Sequence, residues 1–229
     1  MGYSDTMIRV HHLNNSRSQR VLWLLEELEL EYEVVRYERD PATLLAPPSL
    51  LAVHPLGKSP VLTDDSTTVA ESGAIIEYLL ERYGEGRLRP PRGTPEWLRY
   101  TYFLHYAEGS AMPVLLLKLV FSRIPRGPMP FVMRPFAKLL TAAVLRKLVD
   151  PQLDRHVRYL EGELGRSGWF AGEDFSAADV QMSFVVEAVV ARGAAPGTTP
   201  RLATFLERIH ARPAYQRALT RGGPLSVAS

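Results

Sequence analysis

Residues 54–84 read HPLGKSPVLTDDSTTVAESGAIIEYLLERYG. The proline at position 60, after a Gly-Lys-Ser turn, is typical either of a cis proline or of a proline that protects a sheet edge. Short strands are predicted at 60–63 and 67–69, because the Asp-Asp-Ser between them favours a turn. A helix is predicted over 72–83, ended by the glycine that follows it. The segment therefore predicts a β-hairpin followed by a helix.

The chain before this segment supplies a strand, a helix and a second strand. Apolar residues recur at helical spacing over 18–30, which predicts an amphipathic helix. The flanking runs 7–13 and 32–37 are apolar or rich in aromatic and β-branched residues and predict strands. Since a helix of this length joins them, we expect the two strands to pair in parallel. The order β-α-β followed by β-β-α is the thioredoxin-like plan, and we assign it to residues 1–83.

The rest of the chain has no strand pattern and predicts an all-helical domain over 96–229. Residues 84–95 are rich in glycine, proline and charge, which suits a linker. Pro113 and Pro151 are expected to kink or split their helices, and 123–135, which holds four prolines, is expected to be irregular. Helices are predicted at 96–121, 136–165, 176–191, 200–210 and 213–220. The expected fold class is α/β plus all-α, with a thioredoxin-like domain followed by a helical bundle.

The composition excludes several kinds of chemistry. The chain has no cysteine, which excludes disulfides, thiolate metal sites and an enzyme thiol. Its net charge of +2 is mixed along the sequence, so no nucleic-acid partner is expected. The most apolar run, 112–121, is too short to cross a bilayer, and the opening residues lack a secretory pattern. We therefore expect no membrane partner and a cytoplasmic location. His11 and His12 alternate faces of a strand, so no metal is expected.

Two predicted helix starts carry candidate binding residues. Asn15 and Ser16 precede the first helix, and Glu71 and Ser72 open a later one. A helix N-terminus presents unpaired N–H groups and a positive dipole end, which favour an anion, and the Glu71 carboxylate can pair with an ammonium group. The same residue types are also typical of plain N-capping. Residues 176–179, Ser-Ala-Ala-Asp, form a capping-box arrangement that we interpret as structural.

Together these residues resemble the glutathione transferase superfamily over nearly the whole chain. The matching segments are Arg20-Val21 after a polar turn, Gly57–Leu62, Glu71–Leu79 and Ser176–Asp179. The resemblance implies glutathione as co-substrate and a side chain near the first helix that stabilises its thiolate. A free thiol has a pKa of about 8.5, so a hydrogen bond and the helix dipole would have to lower it. The position that Ser-type members use falls on Asn15, with Ser16 next to it, and both are candidates.

The resemblance also implies roles for residues farther along the chain. Ser59 would bind the cysteinyl backbone of glutathione beside a cis Pro60. Glu71 and Ser72 would hold the γ-glutamyl end, and Lys58 would meet the glycine carboxylate.

The second substrate would bind between the two halves of the chain. The expected contacts are Tyr102, Tyr106, Met112, Leu116 and the 123–135 loop. Aromatic and methionine side chains suit a bulky apolar electrophile, although such residues are also typical of a helix core.

These expectations lead to a leading hypothesis and an alternative. The leading one is an enzyme that adds the glutathione thiolate to a hydrophobic electrophile or reduces an organic peroxide with it. The alternative is a non-catalytic interaction module of the same fold, which the Asn at position 15 keeps open and the intact Lys58, Glu71 and Ser72 argue against. A membrane-inserting relative is disfavoured by the missing cysteine and short apolar runs. The resemblance further implies a homodimer, joined between one subunit's first half and the other's second half.

Overall fold

The computed structural model describes residues 7–40, 43, 45–192 and 197–224. Its first half is a four-stranded mixed sheet with two helices. The elements are β1 (Ile8–Leu13), α1 (Ser18–Glu27), β2 (Tyr32–Tyr37), β3 (Val61–Asp64), β4 (Thr67–Ala70) and α2 (Ser72–Tyr83), with a 3-10 turn at Pro48–Ala52. The strand order is β2-β1-β3-β4. Strand β1 pairs with β2 in parallel and with β3 antiparallel, and β3 pairs with β4 antiparallel.

This arrangement confirms the predicted thioredoxin-like plan. The predicted limits of β2 and α2 agree with the structure, β1 and β4 differ by one residue at one end, and β3 is shifted by one residue. Helix α1 ends at Glu27 rather than at residue 30, because Glu29 takes a left-handed φ of 57° that no α-helix continues. Nine of the ten residues of α1 are buried, so this helix packs on all sides.

The second half is helical, as predicted. Its helices are α3 (Pro95–Tyr106), α4 (Met112–Arg123), α5 (Arg134–Val144), α6 (Asp150–Ser167), α7 (Ala177–Arg192), α8 (Pro200–His210) and α9 (Pro213–Gly222). The proline-rich segment between α4 and α5 contains only two short 3-10 turns, Ile124–Arg126 and Phe131–Met133, as its three prolines favour. Within the described residues, no helix is both long and apolar enough to cross a membrane.

Two predicted helices, 96–121 and 136–165, are each divided by one π-helical turn. The turns are Ala107–Ala111 and Leu145–Val149. Each lies just before one of the prolines, Pro113 and Pro151. A proline has no N–H to donate to the carbonyl four residues earlier and its ring crowds that carbonyl, so the hydrogen-bond ladder widens locally instead of breaking.

One continuous core joins the two halves. Helix α1 contacts α7 and α9, and α2 also contacts α7. Trp23 of α1, 1% exposed, packs edge-on against Tyr215 of α9 with ring centroids 5.1 Å apart. The chain's first helix is therefore held from both domains, and the site at its N-terminus is held with it.

The Ser176–Asp179 segment fixes the start of α7. The buried Asp179 carboxylate accepts the backbone N–H of Phe170 at 2.8 Å, the backbone N–H of Ser176 at 2.8 Å and the Ser176 hydroxyl at 3.1 Å. These contacts give the predicted capping pair a structural role, because they satisfy donors that burial removes from water.

Candidate functional site

The turn between β1 and α1 places Asn15 and Ser16 at the N-terminus of α1. Asn15 is exposed and left-handed, with φ of 49°, a conformation that asparagine tolerates better than most residues. Ser16 is 5% exposed, and its Oγ accepts the Ser18 backbone N–H at 3.3 Å. The Ser16 hydroxyl is thus held beside the first turn of a helix, where the dipole favours negative charge.

The turn before β3 lies against the same point. The Ser59–Pro60 peptide bond is cis, which agrees with the first of the two interpretations of that proline. The Ser59 hydroxyl donates to the His11 carbonyl at 2.8 Å and accepts the Leu13 N–H at 3.3 Å. It thereby fastens the cis-proline turn to β1. Ser16 Oγ lies 3.5 Å from Ser59 Oγ, so these two predicted site residues are brought together.

Behind Ser16, a chain of hydroxyls runs into the protein. Ser16 Oγ lies 2.7 Å from Ser18 Oγ, which lies 2.9 Å from His12 Nδ1. Burial lowers the pKa of His12, and the charge of Arg36 lowers it further. A backbone hydrogen bond with Gly222 raises this pKa but does not outweigh the burial. In the neutral tautomer that donates to Gly222, Nδ1 accepts the Ser18 proton. Ser18 then has no proton left for Ser16, so the Ser16 hydroxyl acts as a donor to Ser18, to Ser59 or to a ligand.

The start of α2 differs in detail from the expected cap. The N-cap position is Glu71, with a left-handed φ of 73°, and no side chain caps the helix. Ser72 is the first helical residue and is 3% exposed, so it does not serve as the predicted cap. Within the described part of the chain, Ser72, Glu71 and Lys58 make no side-chain hydrogen bond or ion pair. The polar groups of these three side chains are therefore available to bind a ligand.

A cavity of about 380 Å³ opens beside Ser16, between the start of α1 and helices α4 and α7. Asn15, Ser16 and Ser59 lie at one side of its lining, and Met112 and Leu116 contribute from α4. The remaining lining residues are Arg17, Arg39, Leu115, Leu119, Arg123, Phe184, Ala188 and Arg192. The cavity therefore combines a polar side with an apolar wall, and Lys58, Pro60, Glu71 and Ser72 lie outside its lining.

Tyr102 and Tyr106 are not brought to this cavity. The Tyr106 hydroxyl lies 2.5 Å from His156 Nδ1, and its ring packs 5.6 Å from that of Tyr159 on α6. Tyr102 stacks on Tyr106 with ring centroids 5.5 Å apart. The two tyrosines are four residues apart and so share the face of α3 that packs against α6. Of the 123–135 loop, only its first residue, Arg123, reaches the cavity among the described residues.

The cavity is more cationic than sequence reasoning indicated. Arg17, Arg39, Arg123 and Arg192 line it, and none of the described lining residues is acidic. Burial and the charge of Arg123 lower the pKa of Arg192, and burial and the charge of Arg17 lower that of Arg39. These arginines come from four separate segments, so no local charge run in the sequence could have identified them.

An ion-pair cluster holds the start of α1 against the helical half. Glu108, in the π-helical turn before α4, pairs with Arg20 at 2.6 Å and with Arg17. Arg20 is 2% exposed and also donates to Gln181 of α7 at 3.1 Å. The cluster therefore ties three elements around the cavity and leaves Arg17 only partly neutralised there.

Comparison with known proteins identifies the family. The model of the glutathione S-transferase N-terminal domain matches residues 5–81 and that of the C-terminal domain matches residues 129–213. The chain is 33% identical over 217 residues to Glutathione S-transferase 1 of Saccharomyces cerevisiae, covering 91% of this chain and 92% of that protein. It is 35% identical over 180 residues to Glutathione S-transferase 3 of Schizosaccharomyces pombe, covering 79% and 73%. The chain therefore belongs to the glutathione S-transferase family.

A solved structure supports the same assignment. The crystal structure of a glutathione S-transferase from Actinobacillus pleuropneumoniae superposes with a TM-score of 0.79 at 32% identity, over 97% of this chain and 96% of that one. The predicted fold, the enzyme class and glutathione as its co-substrate are thereby confirmed. Among the described residues, no group of His, Asp and Glu could hold a metal ion.

Proposed function

We propose that the protein conjugates the glutathione thiolate to an apolar electrophile, with the Ser16 hydroxyl as the group that stabilises the thiolate. The observation that carries the proposal is the cavity in which Ser16 and Ser59 face Met112 and Leu116. A thiolate bound beside Ser59 would lie next to both the hydroxyl donor and the apolar wall where an acceptor would bind.

Geometry favours Ser16 over Asn15 as the thiolate donor. Ser16 is buried beside the cis-proline turn, whereas Asn15 is exposed. A hydrogen bond to a charged acceptor is stronger than one between neutral groups, so the Ser16 proton would turn from Ser18 to the sulfur when glutathione binds. One such bond, with the helix dipole, lowers a thiol pKa by about one to two units. The thiolate then attacks the electrophilic carbon and the leaving group departs with the bonding electron pair.

The remaining contacts with glutathione would be made by polar groups that have no side-chain hydrogen bond or ion pair within the described residues, together with the backbone of Ser59. Ser59 uses its side chain internally, so its backbone is the part that would pair with the cysteinyl residue, beside cis Pro60. Ser72, at the N-terminus of α2, would receive the γ-glutamyl carboxylate, and Glu71 its ammonium group. The exposed Lys58 would meet the glycine carboxylate.

The cationic lining narrows the acceptor to an apolar molecule that carries an acidic group. Arg123 makes no side-chain hydrogen bond or ion pair within the described residues, and it lies near the charge of Arg192. An acidic group on the acceptor would offset this repulsion. Replacing Arg123 by Gln should lower kcat/KM for an aryl halide bearing a carboxylate about tenfold or more, the worth of one charged hydrogen bond. Turnover of the uncharged aryl halide should stay within about twofold, and an equal fall for both would refute this selectivity.

The experiment that tests the main proposal combines calorimetry with turnover. Wild type, Ser16→Ala, Asn15→Ala and Ser72→Ala are titrated with glutathione and assayed with chlorodinitrobenzene and cumene hydroperoxide. Ser66→Ala, an exposed serine of the β3–β4 turn, is the control. We expect Ser72→Ala to lose binding and Ser16→Ala to bind but lose turnover. Absence of binding at millimolar glutathione would contradict the proposal and favour a non-catalytic interaction module.

Three expectations stay predictions. Reduction of an organic peroxide would use the same thiolate, and the hydroperoxide assay above tests it. The homodimer is tested by sedimentation and the cytoplasmic location by cell fractionation.

A further inference from the structure

An apolar surface lies on α5 and the segment before it, and none of its residues lines the cavity beside Ser16. Six large side chains form it: Phe131, Val132, Met133, Phe136, Leu139 and Leu140, which are 82%, 69%, 52%, 69%, 73% and 67% exposed. Monomers rarely expose a contiguous apolar patch larger than roughly 300–600 Å², so six neighbouring large apolar side chains exposed to this degree indicate a binding surface. We call these six residues the α5 surface.

Helix α5 presents this face to solvent rather than to the core. Its only buried residue is Thr141, whose hydroxyl donates to the Ala137 carbonyl at 2.7 Å. Met133, Phe136 and Leu140 follow one another at spacings of three and four residues, which places them on one side of the helix. The polar Thr141 faces the protein, while the apolar face of α5 is exposed. This face therefore lacks the partner that normally covers the apolar side of a helix.

The chain segment that carries the α5 surface has charges of a single sign. Residues 112–149 contain seven Lys and Arg and no Asp or Glu. Five of these cations are exposed and form no ion pair with the described residues: Arg126, Arg134, Lys138, Arg146 and Lys147. Arg134 and Lys138 lie on α5 itself, so the helix that carries the apolar face also carries unneutralised positive charge.

We propose that the α5 surface docks on an anionic lipid bilayer, with the apolar side chains entering the interface and the basic ones meeting the headgroups. An amphipathic helix with Phe and Leu on one face and Lys and Arg beside it is suited to this role. A second copy of the chain fits less well, because a two-fold contact through this surface would bring two sets of unpaired cations together. Peripheral docking of this kind needs no spanning helix, and it revises the expectation that the protein has no membrane partner.

The test is flotation of the full-length protein with two kinds of vesicle, phosphatidylcholine alone and phosphatidylcholine mixed with phosphatidylglycerol. Leu139→Asp/Leu140→Asp removes part of the apolar face, and Arg134→Glu/Lys138→Glu reverses part of the charge. Leu98→Asp alters a leucine of α3 that is equally exposed, at 72%, and serves as the control. Sedimentation in the absence of lipid records the oligomeric state of each variant.

We expect the wild type to float with the anionic vesicles only and to detach in high salt. Each double variant should bind about tenfold or more weakly, because one loses two contacts with the anionic headgroups and the other loses two apolar side chains from the interface. Leu98→Asp should bind like the wild type. No binding to anionic vesicles, or equal binding to both vesicle types, would overturn the proposal. Loss of a dimer in Leu139→Asp/Leu140→Asp without lipid binding by the wild type would assign the surface to a second copy instead.

Discussion

Replacing Glu108 by Gln should destabilise the protein by about 3 kcal/mol, because it leaves a buried arginine without its counter-charge. The Arg20 side chain is 1% exposed and that of Glu108 is 24% exposed. Breaking a buried pair from one side typically costs about 3–5 kcal/mol. Arg20 keeps its hydrogen bond to Gln181, so the lower end of that range applies. For a chain of this size the expected loss is about 6–12 °C in Tm.

The same pair predicts a pH dependence. Burial opposes ionisation of Glu108, but the charges and hydrogen bonds of Arg20 and Arg17 outweigh it and hold the pKa of Glu108 below its usual value. An acid with a lowered folded-state pKa contributes stability above its unfolded pKa of about 4.3, and this stability is lost as the pH falls through the folded pKa. The free-energy gap between wild type and Glu108→Gln should therefore narrow below about pH 4.

Urea denaturation between pH 3 and pH 7, followed by circular dichroism, measures both effects. Glu207→Gln changes an exposed glutamate that forms no ion pair among the described residues, and it should stay within about 0.5 kcal/mol of the wild type. A double variant, Arg20→Met/Glu108→Leu, should recover part of the loss, because no charge is then left buried. A Glu108→Gln variant as stable as Glu207→Gln would refute the reasoning.

Two further substitutions test the packing of the helical half. Asp179→Ala leaves two backbone N–H groups and one hydroxyl without an acceptor, so the free energy of unfolding measured in urea should fall by about 3 kcal/mol. Asp174→Ala, which changes an exposed aspartate, is the control and should leave this free energy almost unchanged. Equal losses in the two variants would contradict the capping role of Asp179. In Gly222→Ala the new Cβ would lie 2.4 Å from Gln19 Oε1 and 2.6 Å from Leu22 Cδ1. These two buried side chains of α1 or helix α9 must then move, and Tm should fall by several degrees. Gly109→Ala, whose Cβ meets nothing within 4 Å, is its control, and a Gly222→Ala variant with unchanged Tm would contradict this packing.

The sheet and its helices were predictable because their signals are local. Strand β2 and helix α2 have the predicted limits, since apolar periodicity and a following glycine define them within a few residues. The sequence predicted where the helix at 96–121 would be interrupted, but not that the interruption would be a π-helical turn. Pro113 indicates a disturbed helix, but a missing N–H is compatible with a kink, a break or a π-helical turn such as Ala107–Ala111.

The site was predictable only in part, because it is assembled from distant segments. The hydroxyl contact between Ser16 and Ser59 follows from the order of elements in the fold. The arginines of the cavity do not, since Arg39 and Arg192 are far apart in sequence and meet only after folding. Periodicity also cannot distinguish a tyrosine such as Tyr106 that packs on α6 from one that lines a ligand cavity.

The central claim is that the Ser16 hydroxyl stabilises the thiolate of bound glutathione. The direct measurement is a pH titration of the thiolate ultraviolet absorbance in the complexes of wild type, Ser16→Ala and Asn15→Ala. We predict a bound pKa about one to two units below the free value of about 8.5 in the wild type, and a rise of about one unit in Ser16→Ala. Asn15→Ala should stay close to the wild type. A Ser16→Ala complex with the wild-type pKa would contradict the claim, and a rise confined to Asn15→Ala would transfer the role to Asn15.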